Sequence, residues 1–350
     1  MFLLRFDKII YFWELLKFKQ RKLLCIMKKI GVLTSGGDSP GMNAAVRAVV
    51  RTAAYYGIEV IGVQRGYDGL IENEFIEFKS DSVANILQRG GTILKSMRSE
   101  GFRSLDGRKK AYENIKNAGM EGLVVIGGDG TFTGANIFIN EFNFPIIGLP
   151  GTIDNDLVGT DYTIGYDTAL NTVIDAVDKI RDTAESHNRL FVVEVMGKDA
   201  GFIALRAGIG CGAAGILYPE SEEDRLQDLV MRMNSEGKRK KLSNIVIVAE
   251  GAKEGDAQTV GNVLKNECPG YDIRVVVLGH IQRGGSPSCM ERVRASQMGC
   301  EAVNCLKSGR SGEMVGVVND KISYTPFSKA IKNQEKIDIN LLKMIDILSI

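Results

Sequence analysis

Paired cysteines of the metal-binding or redox kind are missing from this sequence. Its six cysteines (Cys25, Cys211, Cys268, Cys289, Cys300 and Cys305) form no C-x-x-C pair. They read as free thiols, small apolar side chains in a reducing cytoplasm, and that is the expected location. An excess of one charge is missing too: 44 Lys and Arg face 43 Asp and Glu, for a net of +1. Residues 1–26 hold six of the basic residues against Asp7 and Glu14, which leaves 38 basic and 41 acidic residues in the rest. A near-neutral body is not built to grip a nucleic-acid backbone, so nucleic acid is excluded as a partner. Long hydrophobic runs are absent from the start of the chain. Its longest uncharged stretch there, Ile9 to Trp13, is too short for a signal-peptide core or a membrane span. No membrane partner is expected. Met27-Lys28-Lys29 ahead of an apolar run looks like a natural start, so residues 1–26 are expected to be an extension from a mis-called start. An amphipathic surface helix is the other reading of that segment.

What is present is ample for a packed core: 350 residues, 44% hydrophobic, 25% charged. Two domains on the order of 150 residues each are the natural division. Apolar runs at 30–35, 60–63, 123–128, 145–150, 190–197, 214–219, 244–250 and 273–279 alternate with helix-length amphipathic segments. Those segments lie at 40–56, 106–118, 131–141, 166–187, 221–236 and 289–307. Runs rich in Val, Ile and Leu suit parallel strands buried on both faces. The alternation predicts an α/β protein with two doubly wound, Rossmann-like parallel-sheet domains and a cleft between them. No low-complexity linker separates the halves, so the domains are expected to share crossovers. Ligands in such folds bind beyond the carboxyl ends of the strands.

Four polar loops follow strands. Thr34-Ser35-Gly36-Gly37-Asp38-Ser39-Pro40-Gly41 joins the first strand to the first helix, where orphan amides and the helix dipole favour a phosphate. It is neither G-x-G-x-x-G nor a Walker A loop. Gly127-Gly128-Asp129-Gly130-Thr131 places a carboxylate where a cation could bridge nucleotide phosphates. The same run occurs in NAD and lipid kinases. Pro150-Gly151-Thr152-Ile153-Asp154-Asn155-Asp156 clusters two carboxylates, and Asp154 suits a base for an attacking hydroxyl. Gly279-His280-Ile281-Gln282-Arg283-Gly284-Gly285 carries one of only two histidines beside an arginine, a pair suited to a sugar phosphate.

Together GVLTSGGDSPGMNAAVR, VVIGGDGT, GLPGTIDND, VVEVMG and VLGHIQRGGSP resemble the signatures of the bacterial-type ATP-dependent 6-phosphofructokinases, in order and at about their spacing, over residues 27 to about 320. The resemblance implies transfer of the γ-phosphoryl of ATP to the 1-hydroxyl of fructose 6-phosphate. It implies an ATP-binding domain of residues 27–165 plus about 279–332. A fructose 6-phosphate domain would take 166–278 plus about 333–350. Gly37, Tyr67, Arg98, Ser99, Gly128, Asp129, Gly130 and Thr131 would bind ATP, with Asp129 holding Mg²⁺. Asp154 would be the base, with Thr152, Lys198 and Arg98 as catalytic partners. Thr152, Ile153, Asp154, Arg189, Met196, Gly197, Lys198, Glu250, Arg274, His280, Ile281, Gln282 and Arg283 would bind the sugar phosphate. Family members place the residues matching Arg189 and Arg274 in a neighbouring subunit's site, which implies a homotetramer.

The sequence departs from the family at several positions. Lys198 stands where the family usually has Arg, keeping the charge and losing the fork. Arg47, Arg51, Arg181, Gly212, Arg239 and Lys241 match the family's effector site, but Ala214 replaces an acidic residue, Ser243 a histidine and Ser80 an arginine. Weak or altered allostery is therefore expected. Pyrophosphate-using relatives tend to carry Asp where this chain has Gly130 and Lys where it has Gly151, so two glycines favour ATP. A pyrophosphate-dependent enzyme, an NAD or lipid kinase, and a nucleotide sensor that has lost catalysis are the competing readings.

Overall fold

A computed structural model describes residues 27–187, 189–221, 225–235, 245–331 and 338–348. The readings of residues 1–26, and of Arg239, Lys241 and Ser243, lie outside the described residues. The first half runs β1 (Lys29–Thr34), α1 (Met42–Tyr56), β2 (Glu59–Val63), α2 (Tyr67–Glu72), β3 (Phe75–Phe78), α3 (Leu105–Asn117), β4 (Gly122–Gly127), α4 (Asp129–Phe142), β5 (Ile146–Thr152) and β6 (Ile164–Gly165). The second runs α5 (Tyr166–His187), β7 (Arg189–Val195), α6 (Phe202–Gly210), β8 (Gly215–Leu217), α7 (Arg225–Ser235), β9 (Ile245–Ala249), α8 (Ala257–Glu267) and β10 (Asp272–Val277). A short 3-10 turn, Gly279–Arg283, leads into α9 (Cys289–Lys307), β11 (Glu313–Val318), β12 (Lys321–Pro326), α10 (Phe327–Ala330) and α11 (Ile339–Leu348).

The strands form two sheets. One has the order β12-β11-β5-β4-β1-β2-β3, with β6 paired to the end of β5; the other has the order β10-β7-β9-β8. Among the described strands, pairing is parallel except for β2 with β3 and β11 with β12. Those antiparallel edges were not anticipated, because 75–78 is short and broken by Glu77 and 321–326 is polar at alternate positions, so neither shows the continuous apolar run of an interior strand.

Both faces of each sheet are covered. In β1 and β4, Ile30, Val32, Val124 and Ile126 point into a core with Met42, Val46 and Val49 of α1 and Ala302, Val303 and Leu306 of α9. Their neighbours Leu33, Leu123 and Val125 point the other way, against Phe132 and Phe138 of α4. The second sheet repeats this, with Val193 and Val195 facing α5 and α6, and Leu190 and Val192 facing α7 and α8. This is the period-two alternation of strands buried on both sides.

Gly148 in β5 is tightly enclosed by aromatic rings. A Cβ there would lie 2.5 Å from ring atoms of both Phe132 and Phe327, whose rings stack with centroids 5.1 Å apart. Overpacking of this kind costs about 1–3 kcal/mol. Gly148→Ala is therefore expected to lower the unfolding free energy by that amount, seen as a lower urea midpoint at an unchanged m-value; an unchanged midpoint would show that the rings move aside freely.

Candidate functional site

Parallel pairing sends the ends of β1, β4 and β5 to one edge, and the strand order reverses between β1 and β4. The two glycine-rich loops flank that point, where a crevice opens in folds of this kind. Hydrogen bonds weld them together. Ser35 N–H donates to the Ile126 carbonyl at 2.9 Å, and Thr131 Oγ1 donates to the Ser35 carbonyl at 3.2 Å. A Cβ on Gly127 would fall 2.3 Å from Thr131 Oγ1 and 2.5 Å from the Ser35 carbonyl oxygen, so only glycine permits the approach. Neither α1, with Gly41 as N-cap, nor α4, with Gly128 as N-cap, has a side-chain cap. The start of α1 is buried, with Met42 N–H donating to the Ser39 carbonyl at 3.3 Å, whereas Asp129 and Gly130 at the start of α4 are exposed and can meet a ligand anion.

The loop after β5 presents Asp154. Asn155 takes a left-handed conformation at φ 53° and is buried. Its amide donates to the Asp161 carbonyl at 3.2 Å, and its Oδ1 accepts from Thr163 N–H at 2.8 Å. Thr163 Oγ1 closes the loop by donating to the Thr152 carbonyl at 2.6 Å. Asp154 N–H donates to Thr152 Oγ1 at 3.2 Å. The Asp154 Oδ1 atom is buried with no hydrogen-bond partner. Burial raises the Asp154 carboxyl above the usual range; Arg283, Lys198 and a hydrogen bond with Thr152 pull it back, and Glu250 adds to the rise.

Asp129 and Asp156 stand close by. Burial raises Asp129, and Lys198 opposes the rise. Asp156 is pushed up to about 6, first by burial and then by Asp154 and Asp129. Lys198 acts on all three carboxylates while pairing with Asp199 at 3.2 Å. Its backbone is left-handed at φ 54°, and its N–H donates to Glu250 Oε2 at 3.3 Å. Glu250 N–H in turn donates to the Val195 carbonyl at 2.9 Å, which ties the loops after β7 and β9 together.

The 3-10 turn crosses from the second sheet to the cradle. Arg283 Nη1 donates to the Asp38 carbonyl at 3.2 Å and lies over Gly37. Gln282 is fully buried: its Oε1 accepts from Met196 N–H at 3.2 Å and its Nε2 donates to the Gly279 carbonyl at 3.0 Å. Its amide fixes the turn and is turned away from the crevice. Ile153 is also fully buried, so only its backbone can face a ligand. Tyr67 is buried and stacked on Phe102 with centroids 4.0 Å apart. Its hydroxyl donates to the Thr131 carbonyl at 2.5 Å, and burial pushes the phenol well above its usual range. His280 and Arg98 are exposed at the rim. Ser99 donates to Asp68 Oδ1 and accepts from Phe102 N–H at 3.1 Å.

Three groups of expected residues are not brought together. Arg189 and Arg274 share Asp272, each at 3.0 Å, at the amino ends of β7 and β10. The crevice lies at the opposite, carboxyl ends. Arg47 and Arg51 lie on α1 with no ion pair among the described residues, whereas Arg181 donates to the Cys211 carbonyl beside Gly212. Ala214 is buried with its carbonyl accepting from Arg232 at 3.4 Å. The two donor-site glycines also part company. A Cβ on Gly130 would meet open space, but one on Gly151 would lie 3.0 Å from Ile126 and Met42 side-chain carbons. Gly130 leaves room at the crevice; Gly151 is set by packing beneath it.

Among the described residues no three His, Cys, Asp or Glu side chains could by themselves hold a metal, and no helix is long and apolar enough to cross a membrane. Fold and crevice define a doubly wound α/β protein that takes phosphorylated ligands at the carboxyl ends of its strands. The phosphofructokinase family model matches residues 29–306, and the chain belongs to that family. It is 54% identical to ATP-dependent 6-phosphofructokinase 2 of Bacteroides thetaiotaomicron, over 93% of this chain and 99% of the relative. The crystal structure of Pichia pastoris phosphofructokinase in the T-state superposes with a TM-score of 0.82 at 38% identity, over 87% of this chain and 35% of that longer one. A pyrophosphate-dependent phosphofructokinase from Marinobacter aquaeolei, 23% identical, shares the fold at a TM-score of 0.76 over 90% of this chain and 86% of its own.

The crowding at Asp156 has a measurable sign. Its folded carboxyl binds a proton more tightly than the unfolded one, at about 6 against an ordinary 3.8. Stability is therefore lost as pH rises from about 4 through 6, and the loss is complete above that window. Asp156→Asn, without nucleotide or magnesium, is expected to add on the order of 2 kcal/mol of stability at pH 8, read as a higher Tm, with the gain gone near pH 4. A Tm gain equal at both pH values would contradict the charge argument.

Proposed function

We propose that this protein is an ATP-dependent 6-phosphofructokinase of cytoplasmic glycolysis. It moves the γ-phosphoryl of ATP to the 1-hydroxyl of fructose 6-phosphate, giving fructose 1,6-bisphosphate and ADP. The observation that carries the reading is the buried Asp154 Oδ1 without a hydrogen-bond partner, in the loop that faces both the glycine cradle and Arg283. An unpaired buried carboxylate oxygen is costly in a resting fold and is explained by a donor that arrives with substrate. The 1-hydroxyl is that donor: Asp154 accepts its proton as the oxygen attacks phosphorus.

The remaining roles follow from position. The uncapped, exposed start of α4 takes the nucleotide phosphates, and the space beside Gly130 admits the nucleotide. Gly37, Tyr67, Arg98 and Ser99 line or support that side, Tyr67 by holding the Thr131 carbonyl. Asp129 fits a Mg²⁺ ligand: it stands at the start of α4 among carboxylates that burial leaves short of positive charge. Mg²⁺ takes one or two carboxylates and completes its shell with phosphate oxygens and water, so a larger protein cluster is not required. Held by Asp129, the cation would neutralise phosphate charge. Lys198 contributes charge beside Asp129 and Asp154 and steadies the phosphoryl group in flight. Met196, Gly197, Glu250, His280, Ile281 and Arg283 form the sugar-phosphate side, with Gln282 positioning the turn.

Arg189 and Arg274 lie too far along their strands to serve this crevice. Their placement supports a homotetramer in which they complete a neighbour's site, with the first sheet binding ATP and the second the sugar phosphate. The buried Ala214, in place of an acidic residue, supports weak or altered effector control around Arg181 and Gly212.

Asp154→Asn tests the base directly. The variant is expected to fold with at least wild-type stability, since it removes a buried charge, and to bind ATP as before. Its kcat should fall by about 10²- to 10⁴-fold. Turnover within threefold of wild type would remove Asp154 from the mechanism.

A further inference from the structure

Away from the reacting groups, the segments that carry the site loops meet at Glu291. This residue lies in the first turn of α9, three positions after the N-cap Ser288, and is 3% exposed. Ser288 Oγ accepts from Glu291 N–H at 3.1 Å and donates to Asp167 Oδ2 on α5. Ser288 N–H donates to Thr168 Oγ1 at 3.1 Å. Glu291 Oε2 then accepts from both the N–H and the hydroxyl of Thr168, each at 3.4 Å. The starts of α5 and α9 thus cap one another, each satisfying donors the other leaves open.

The cradle loop and β6 are pinned at the same point. Gly41, at φ 105°, lies so close that a Cβ there would be 2.8 Å from Glu291 Cγ and 2.9 Å from Ile164 Cγ2. Ser39 Oγ donates to the Ile164 carbonyl at 2.7 Å. β6 pairs with the end of β5 through Thr152 and Gly165, directly beside Asp154. α5 packs on the 3-10 turn that carries Arg283. Burial pushes the Glu291 carboxyl up to about 7; the Gly165 and Thr168 amides oppose the rise and Asp167 adds to it. Gly41 and Ile164, from the other two elements against it, bring no charge.

We propose that Glu291 is a positioning residue that holds the cradle loop, the Asp154 segment and the 279–288 turn in one register. No functional role attaches to it in the phosphoryl-transfer reading above. The kinetic half of the proposal rests on that reading, and the structural half does not.

The test compares full-length wild type, Glu291→Ala and Glu291→Gln at pH 6, on the acid side of the raised Glu291 carboxyl, where glutamine is the closest isostere. Amide hydrogen exchange is followed by mass spectrometry, alongside steady-state kinetics for both substrates. In Glu291→Ala, exchange is expected to rise at least tenfold in 36–43, 164–168 and 279–289 together, with β2 unchanged. Its kcat should fall at least tenfold, well below the unfolding temperature. Glu291→Gln keeps an acceptor for Thr168 and should restore both readouts to within threefold of wild type. The proposal is overturned if Glu291→Ala lowers Tm but leaves kcat and the joint protection intact. It is equally overturned if the three segments respond separately, or if glutamine fails to rescue. Should wild type phosphorylate nothing, the phosphofructokinase reading fails, and the exchange pattern alone decides whether Glu291 couples the segments.

Discussion

Parallel strand pairing is the constraint on which the rest of this molecule depends. It routes the connections between long interior strands across covering helices and delivers successive loops to the same edge. β1, β4 and β5 therefore end together, and their loops share a crevice although 34, 127 and 152 are far apart in the chain. The second sheet does the same for the loops after β7 and β9. The turn after β10 then bridges the two bodies, through Arg283 on the Asp38 carbonyl.

That convergence sets the electrostatics. Asp129, Asp154 and Asp156 are drawn into one partly dry region, and burial raises all three. Lys198 and Arg283 offset part of the repulsion. The remainder favours whatever brings positive charge or a proton donor, which is what a magnesium nucleotide and a hydroxyl substrate supply. The backbone around the cluster is rigid where it has to be. Asn155 closes its own loop with side-chain hydrogen bonds, and Lys198 is held left-handed between Gly197 and Asp199.

Much of this was legible from the chain. Interior parallel strands announce themselves as apolar runs, and phosphate-facing loops as glycines and carboxylates just beyond them. What escaped was whatever lacks such a signal. β3 and β12 pair antiparallel at edges with mixed polarity. α6, at 202–210, carries little polar face because Ile203, Ala204, Leu205, Ala207 and Gly208 are all buried, so it shows no amphipathic stripe. Gln282 sits in the most informative motif of the sequence, yet its amide turns inward to backbone groups, a direction that residue type cannot reveal. Gly151 looked like a device for the donor and proved to be packed against Ile126 and Met42. The Ser288-x-x-Glu291 spacing was a readable capping signature, but its partner on α5 is set only by the fold.

The central claim is the identity of the phosphoryl donor and acceptor. The most direct measurement is formation of fructose 1,6-bisphosphate from fructose 6-phosphate and Mg²⁺, with ATP or pyrophosphate supplied separately. Turnover with ATP and none with pyrophosphate is the predicted result, consistent with the open space at Gly130. Turnover with pyrophosphate alone, or with neither donor in protein that still binds ATP, would contradict it.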